Sequence, residues 1–153
     1  MTIVKEADHV VNDARSTSRR TQAGYDAERD MAFYLRRALA DDARAHIFHD
    51  LRLVRGDEVA QIDHLLLHRH GTFIVESKSV SGEIEIRSDG QFIRKRGRSR
   101  EGMRSPVEQA RLQGDLLRKL LIDHKTNLLG KALFGLQQKG FLHMPIEIFV
   151  AIS

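Results

Sequence analysis

The sequence contains no cysteine. That excludes disulfides, thiolate zinc sites and cysteine nucleophiles. It has no long apolar run and no signal-peptide pattern, which argues against a membrane span or secretion and makes the cytoplasm the expected location. Internal repeats and low-complexity tracts are also missing. What is there is ordinary for a globular protein: 153 residues, 41% hydrophobic and 30% charged, enough for one domain with a real core. The net charge of +4 and pI of about 9.7 modestly favour a polyanionic partner.

The most informative stretch is Gln61 to Ser79, QIDHLLLHRHGTFIVESKS. Leu65, Leu66 and Leu67 run into His68-Arg69-His70-Gly71, and Thr72-Phe73-Ile74-Val75 follow. Two strand-like runs around a short loop with glycine predict a β-hairpin. With Arg69-His70 at the turn centre, Leu67 pairs with Thr72 and Asp63 lies opposite Glu76, with Cβ atoms roughly 4.5–5.5 Å apart. Lys78, two residues past Glu76, points to the same face. Two carboxylates so close repel unless a cation intervenes. Oxygen ligands suit a hard divalent ion such as Mg²⁺ or Mn²⁺, and a metal beside a lysine can place and activate a water next to a phosphodiester. The plainer reading is a set of solvated strand-end charges, with Glu76 and Lys78 forming a weak ion pair.

Gln61-Ile62-Asp63-His64, then Gly71-Thr72-Phe73-Ile74-Val75-Glu76-Ser77-Lys78, then Gly82 resemble the nuclease-related domain (NERD), a branch of the PD-(D/E)XK restriction-endonuclease-like superfamily. The resemblance extends from about Gly24 to the final strand. It implies that Asp63 is the motif aspartate and that Glu76 and Lys78 are the acidic-x-lysine pair. Ser79 stands where the family pattern leads one to expect asparagine. Some members of the superfamily keep the fold and lose cleavage.

Met1 to Ala23 is polar and reads as an arm, with a short helix around Val4–Ala14. Its alternative roles are a solvated tail or an extra phosphate contact. Gly24 to Ala40 is predicted helical, with an apolar stripe of Met31, Ala32, Leu35, Ala38 and Leu39. One turn back, that stripe reaches Glu28, so a carboxylate lies on the inward face. This is either a first-turn glutamate favoured by the helix dipole or a site residue. The resemblance implies the second, with Glu28 holding the metal or orienting a water. Ala45 to Val54 alternates, with Ile47, His49, Leu51 and Leu53 on the buried side of a half-buried strand. Of eight histidines, none forms a convincing metal-ligand pair. His64 adjoins Asp63 but should point to the other face, so it is not expected to act as a base.

Glu83–Arg87 and Gln91–Arg94 predict a second hairpin around Ser88-Asp89-Gly90. Arg94, Lys95, Arg96, Arg98, Arg100 and Arg104 then form the densest basic run. Gly97, Ser99 and Gly102 mark it as a mobile loop, either merely solubilising or tracking a nucleic-acid backbone through its phosphates. Ser105-Pro106-Val107-Glu108 is a helix start, with serine as N-cap, proline at N1 and glutamate closing a capping box. The helix is predicted to run to about His124 and to bury Val107, Ala110, Leu117 and Leu121. Ser105-Pro106-x-x-Gln109 resembles the family's proline-x-x-glutamine element, which implies that Gln109 is a site residue binding phosphate or a water near the positive helix end. Taken alone, Gln109 is an exposed helix residue. Lys125 to Gly140 supports a short helix or loop. Pro145 leads into a final strand, Ile146–Ile152, and a chain closing on an apolar strand points to a longer parent protein.

The expected fold is a three-layer α/β domain over residues 24–153. A central mixed sheet carries the Glu28 helix on one side and the Gln109 helix on the other. The expected function is metal-dependent hydrolysis of nucleic acid, DNA foremost, with Asp63, Glu76 and Glu28 around the metal, Lys78 at the reacting water and Gln109 completing the site. The alternatives are a non-cleaving nucleic-acid-binding module on the same fold and a protein-interaction scaffold.

Overall fold

The computed structural model describes residues 1–7, 19–132, 137–138 and 140–153. Its elements are β1 (Thr2–Lys5), α1 (Arg19–Leu39), β2 (His46–Arg55), β3 (Glu58–His68), β4 (Gly71–Lys78), β5 (Glu83–Ile86), β6 (Phe92–Arg96) and β7 (Ser99–Met103). They continue with α2 (Pro106–Asp123), α3 (Lys125–Leu128), β8 (Lys131–Ala132), β9 (Gln137–Gln138) and β10 (Ile146–Ile152). The central sheet has the order β1-β2-β3-β4-β10. β2, β3 and β4 are antiparallel neighbours, whereas β1 on β2 and β10 on β4 are parallel. The parallel β4–β10 pair requires a long crossover, and that crossover carries the second sheet and α2.

The central hairpin has the expected register, with Leu67 opposite Thr72 and His68 opposite Gly71. The ladder continues to His64 opposite Val75, so the next step brings Asp63 beside Glu76. β2 departs from expectation. Ile47, His49 and Leu53 are buried, but they do not share a face. Phe48, Leu51 and Leu53 all pack into the core cluster with Ile62, Leu65, Ile74, Ala110 and Leu117. His49 instead lines a cavity with Glu28, Ala32 and Arg36 of α1. Between them Asp50 adopts φ +52°, a left-handed conformation that aspartate tolerates better than most residues. The β2–β3 pairing skips the Asp50–Asp63 step while keeping its register. The pleat therefore changes parity at the level of Asp63, a local irregularity of the kind that re-aims side chains next to sites.

α2 crosses β2, β3, β4 and β10, while α1 lies against β4. A Cβ on Gly114 would sit 3.4 Å from both Ile74 and Ile146, so glycine lets α2 press close to the sheet. Ala110, Gln113, Gly114, Leu116 and Leu117 are its buried face. Val107 and Leu121 are only half-buried, a rotation of the expected stripe that brings Gln113 inward. Ser105 caps the helix by accepting from the Glu108 N–H at 3.2 Å, and the Glu108 carboxylate pairs with Arg111 at 3.2 Å.

Four further expectations are corrected. Val4 and Lys5 belong to a strand paired with β2, and α1 begins at Arg19, five residues before Gly24. Glu6 and Ala7 lie in no regular element, and the rest of the expected N-terminal helix, residues 8–14, falls outside the described residues. Ala38 of the α1 stripe is exposed. The basic run is not a mobile loop: it builds β6 and β7 of a three-stranded sheet, β5-β6-β7, with Arg94 opposite Glu101 and Lys95 opposite Arg100. Arg94 pairs with Glu101 across the strands, and Glu85 of β5 offsets the like charges of Lys95 and Arg100.

Gly82 joins the two sheets at φ +104°, where a Cβ would lie 2.2 Å from the Lys95 carbonyl oxygen. Gly82→Ala adds a backbone clash to a strained dihedral and is expected to lower stability by about 1–3 kcal/mol. Urea denaturation checks it; an unchanged midpoint would mean that the close approach does not exist.

Candidate active site

β4 carries Glu76 and Lys78 two residues apart, and α2 reaches the same end of the sheet. Glu76 is only 2% exposed, a costly position for a carboxylate without partners. Both of its oxygens are engaged. Gln109 Nε2 donates to Oε1 at 2.6 Å and Gln113 Nε2 donates to Oε2 at 3.0 Å. Lys78 Nζ lies 3.6 Å from Oε1 and is about a third exposed, so it faces both the carboxylate and the solvent. Asp63 accepts the Ser77 backbone N–H at 2.8 Å, so its side chain carries the hairpin contact beyond the last backbone pair. Burial, then the Glu76 charge, push the Asp63 carboxyl up to about 7, with Glu28 adding to the repulsion. The Ser77 N–H and Lys78 oppose the shift without cancelling it.

Asp63, Glu76, Ser77, Lys78 and Gln109 line one cleft of about 1410 Å³ with Glu28, Ser81, Arg94, Arg96 and Arg104. That exceeds the size usual for small-molecule pockets, roughly 300–1,000 Å³, and suits a polymer segment better than a free metabolite. The family model for the nuclease-related domain matches residues 23–152, a span that includes the hairpin, the small sheet and α2. The chain belongs to the nuclease-related domain family. No curated protein and no solved structure matches it in the corresponding searches.

Of the sequence-derived site residues in this nuclease-related domain, Asp63, Glu76, Lys78, Glu28 and Gln109 share the cleft. Among the described residues, however, no three His, Asp or Glu side chains converge closely enough to form a metal cage. Glu28 is felt by Asp63 through its charge and lines the same wall as Tyr25. The basic run divides in two. Arg94, Arg96 and Arg104 line the cleft. Lys95 and Arg100 instead converge on Glu85 Oε2, at 2.7 and 2.6 Å, and Arg98 lies at the β6–β7 turn.

Gln113, 3% exposed, is the group that sequence reasoning left without a role. The available signal was its place one turn after Gln109, a second amide on a helix face that is otherwise apolar. The His64 ring sits against His49 and Ser77, in a cavity that Glu28 and Asp63 also line. Its Nδ1 lies 2.8 Å from His49 Nδ1 and its Nε2 lies 3.3 Å from Ser77 Oγ. Strand alternation turns Ser77 away from Glu76. No helix among the described residues is long and apolar enough to cross a membrane.

Proposed function

We propose that this nuclease-related domain hydrolyses phosphodiester bonds of nucleic acid, with DNA as the first substrate to test, in a reaction that depends on Mg²⁺ or Mn²⁺. The observation that carries the reading is the placement of Asp63 beside the buried Glu76 at one end of the hairpin, with Lys78 on the same cleft. A carboxyl held near 7 beside a second buried carboxylate is a site where a cation is strongly favoured. The donor set fits Mg²⁺, which commonly uses one or two carboxylates and takes its other ligands from waters and substrate phosphates. Asp63 and Glu76 would hold it directly, with Glu28 within electrostatic reach. The ion would supply charge neutralisation at the phosphoryl oxygens and a more acidic water.

The protein's own groups divide the remaining work. The Ser77 N–H fixes one Asp63 oxygen. The Gln109 and Gln113 amides hold the plane of the Glu76 carboxylate from the α2 side. Lys78, a compact cation beside Glu76 that is about a third exposed, would orient the attacking water and steady negative charge developing on the phosphoryl group. Arg94, Arg96 and Arg104 provide the positive wall that a polyanion needs.

The decisive experiment is a cleavage assay on single-stranded and duplex DNA and on RNA, with Mg²⁺, Mn²⁺ or EDTA. Cleavage in either metal and none in EDTA is expected. In parallel, titrated metal should shift the backbone resonances of Asp63, Glu76 and Glu28 together and raise the melting temperature. Perturbation of scattered surface carboxylates only would remove the metal site. One observation favours a second reading, a binding module that does not cleave: both Glu76 oxygens already have amide donors, an arrangement that can hold a carboxylate without metal. Nucleic-acid binding with no cleavage under any metal would select it.

A further inference from the structure

β6 presents alternate residues to opposite faces of the small sheet, and its charges are treated differently on the two sides. Lys95 donates to Glu85 Oε2 at 2.7 Å, and Arg100 reaches the same oxygen at 2.6 Å. Those two cations share one carboxylate, whose carboxyl they hold below its usual range. On the other face, Arg94 and Arg96 line the cleft that contains Asp63, Glu76 and Lys78. Arg96 donates to Ser81 Oγ at 2.9 Å, which anchors the guanidinium without neutralising it. Arg94 pairs with Glu101, its direct neighbour across β7. The Glu101 side chain is 61% exposed, whereas Arg94 is 23% exposed. The carboxylate is mostly solvated and the guanidinium is not, so another anion can take the place of Glu101 while Arg94 stays where the fold holds it. Carboxylate and phosphate offer a guanidinium the same pair of acceptor oxygens.

We propose, building on the nuclease reading above, that Arg94 and Arg96 form a phosphate-binding subsite on the cleft wall. The Glu101 carboxylate fills this subsite in the free protein and yields it to a phosphate of the nucleic-acid backbone. Lys95 and Arg100, committed to Glu85 on the opposite face, take no part. The strand then runs between the arginine wall and the carboxylate floor, with its phosphates read and its bases left free, so recognition is independent of sequence.

Fluorescence anisotropy of labelled single-stranded and duplex oligonucleotides, in EDTA so that nothing is cleaved, tests this. Glu101→Gln should tighten binding about two- to fivefold, the equivalent of one exposed ion pair removed. Arg94→Ala and Arg96→Ala should each weaken it by about tenfold, the loss of a charged hydrogen bond, and flatten the salt dependence by up to about 0.9 in slope on duplex DNA. In the Arg94→Ala background, Glu101→Gln should have no further effect. Lys95→Ala and Arg100→Ala should stay within about twofold of wild type. Equal losses on both faces, or a Glu101→Gln protein that binds no tighter, would overturn the subsite. Glutamine at this position keeps a side-chain oxygen for Arg94, and a melting temperature close to wild type shows that the Glu101→Gln protein is folded. This binding pattern without cleavage in Mg²⁺ or Mn²⁺ would overturn the nuclease reading alone. Cleavage with a flat binding pattern would overturn the subsite alone. A wild-type protein that binds neither DNA nor RNA would overturn both.

Discussion

Lys78→Met is expected to lower phosphodiester turnover by about 10²–10³-fold, the usual loss when one preorganised electrostatic group is removed from a transition state. Methionine keeps the aliphatic stem and removes only the charge. Lys78 Nζ lies 3.6 Å from Glu76 Oε1 and is 34% exposed, and the Gln109 and Gln113 amides still satisfy both oxygens of the buried Glu76 carboxylate when the ammonium is removed. The folded state should therefore lose little. Melting temperatures of variant and wild type in EDTA should nearly coincide, and nucleic-acid binding should persist. Catalysis then falls without stability, a separation that a purely structural lysine would not show. Single-turnover cleavage in Mg²⁺ measures the effect, and a wild-type rate in the variant would take Lys78 out of the mechanism.

Asp63→Asn should act on stability in the opposite direction from most buried polar substitutions. Its carboxyl is raised from 3.8 to about 7, first by burial and then by Glu76. The folded state therefore binds the Asp63 proton more tightly than the unfolded chain does. Stability from this group is fully present below the unfolded value near 4 and is lost as pH rises through about 7. Asparagine keeps the shape and an oxygen for the Ser77 N–H, and it has nothing to ionise. At pH 8 in EDTA the variant should be more stable than wild type by about 0.5–2 kcal/mol, and the gain should vanish toward pH 4. Added Mg²⁺ should raise the wild-type melting temperature and leave the variant nearly unmoved. Thermal melts across pH, with EDTA and with Mg²⁺, give the answer. An Asp63→Asn protein that melts lower than wild type at pH 8, with an unchanged Mg²⁺ response, would sink the metal site at this residue.

The parts of the molecule legible in the sequence are those set by neighbours along the chain. A two-residue turn between alternating strands fixes which residues face each other, and Leu67–Thr72 and His68–Gly71 pair accordingly. That register alone brings Asp63 to Glu76. Ser105 and Pro106 start α2 because the capping groups and the first-turn orphan N–H groups lie within four residues. The apolar run Ile146–Ile152 forms a strand because nothing in it opposes one. The inward place of Glu28 follows from helical period, and the structure puts it on the same cleft as Asp63 and Glu76.

Tertiary structure decided the rest. Arg94 to Met103 has the composition of a loop, yet it pairs as β6 and β7 because Glu101 and Glu85, set across the strands, neutralise cations that would otherwise repel. Which arginines face the cleft depends on how that small sheet lies against the large one, through Gly82 and Lys95, and no local pattern encodes it. The parity change at Asp50 and Asp63 is likewise undecided by local pattern, because apolar residues fall on both faces of β2 and β3 and only the pairing shows which of them meet the core. Gln113 shows the same limit: an amide on an apolar helix face acquires its purpose only when packing sets it 3.0 Å from a buried carboxylate on another element. Residues close in the chain make turns, caps and periods, and these are short-range energies. The charge balance of a buried site is a sum over groups far apart in the chain, and only the folded arrangement sets their distances.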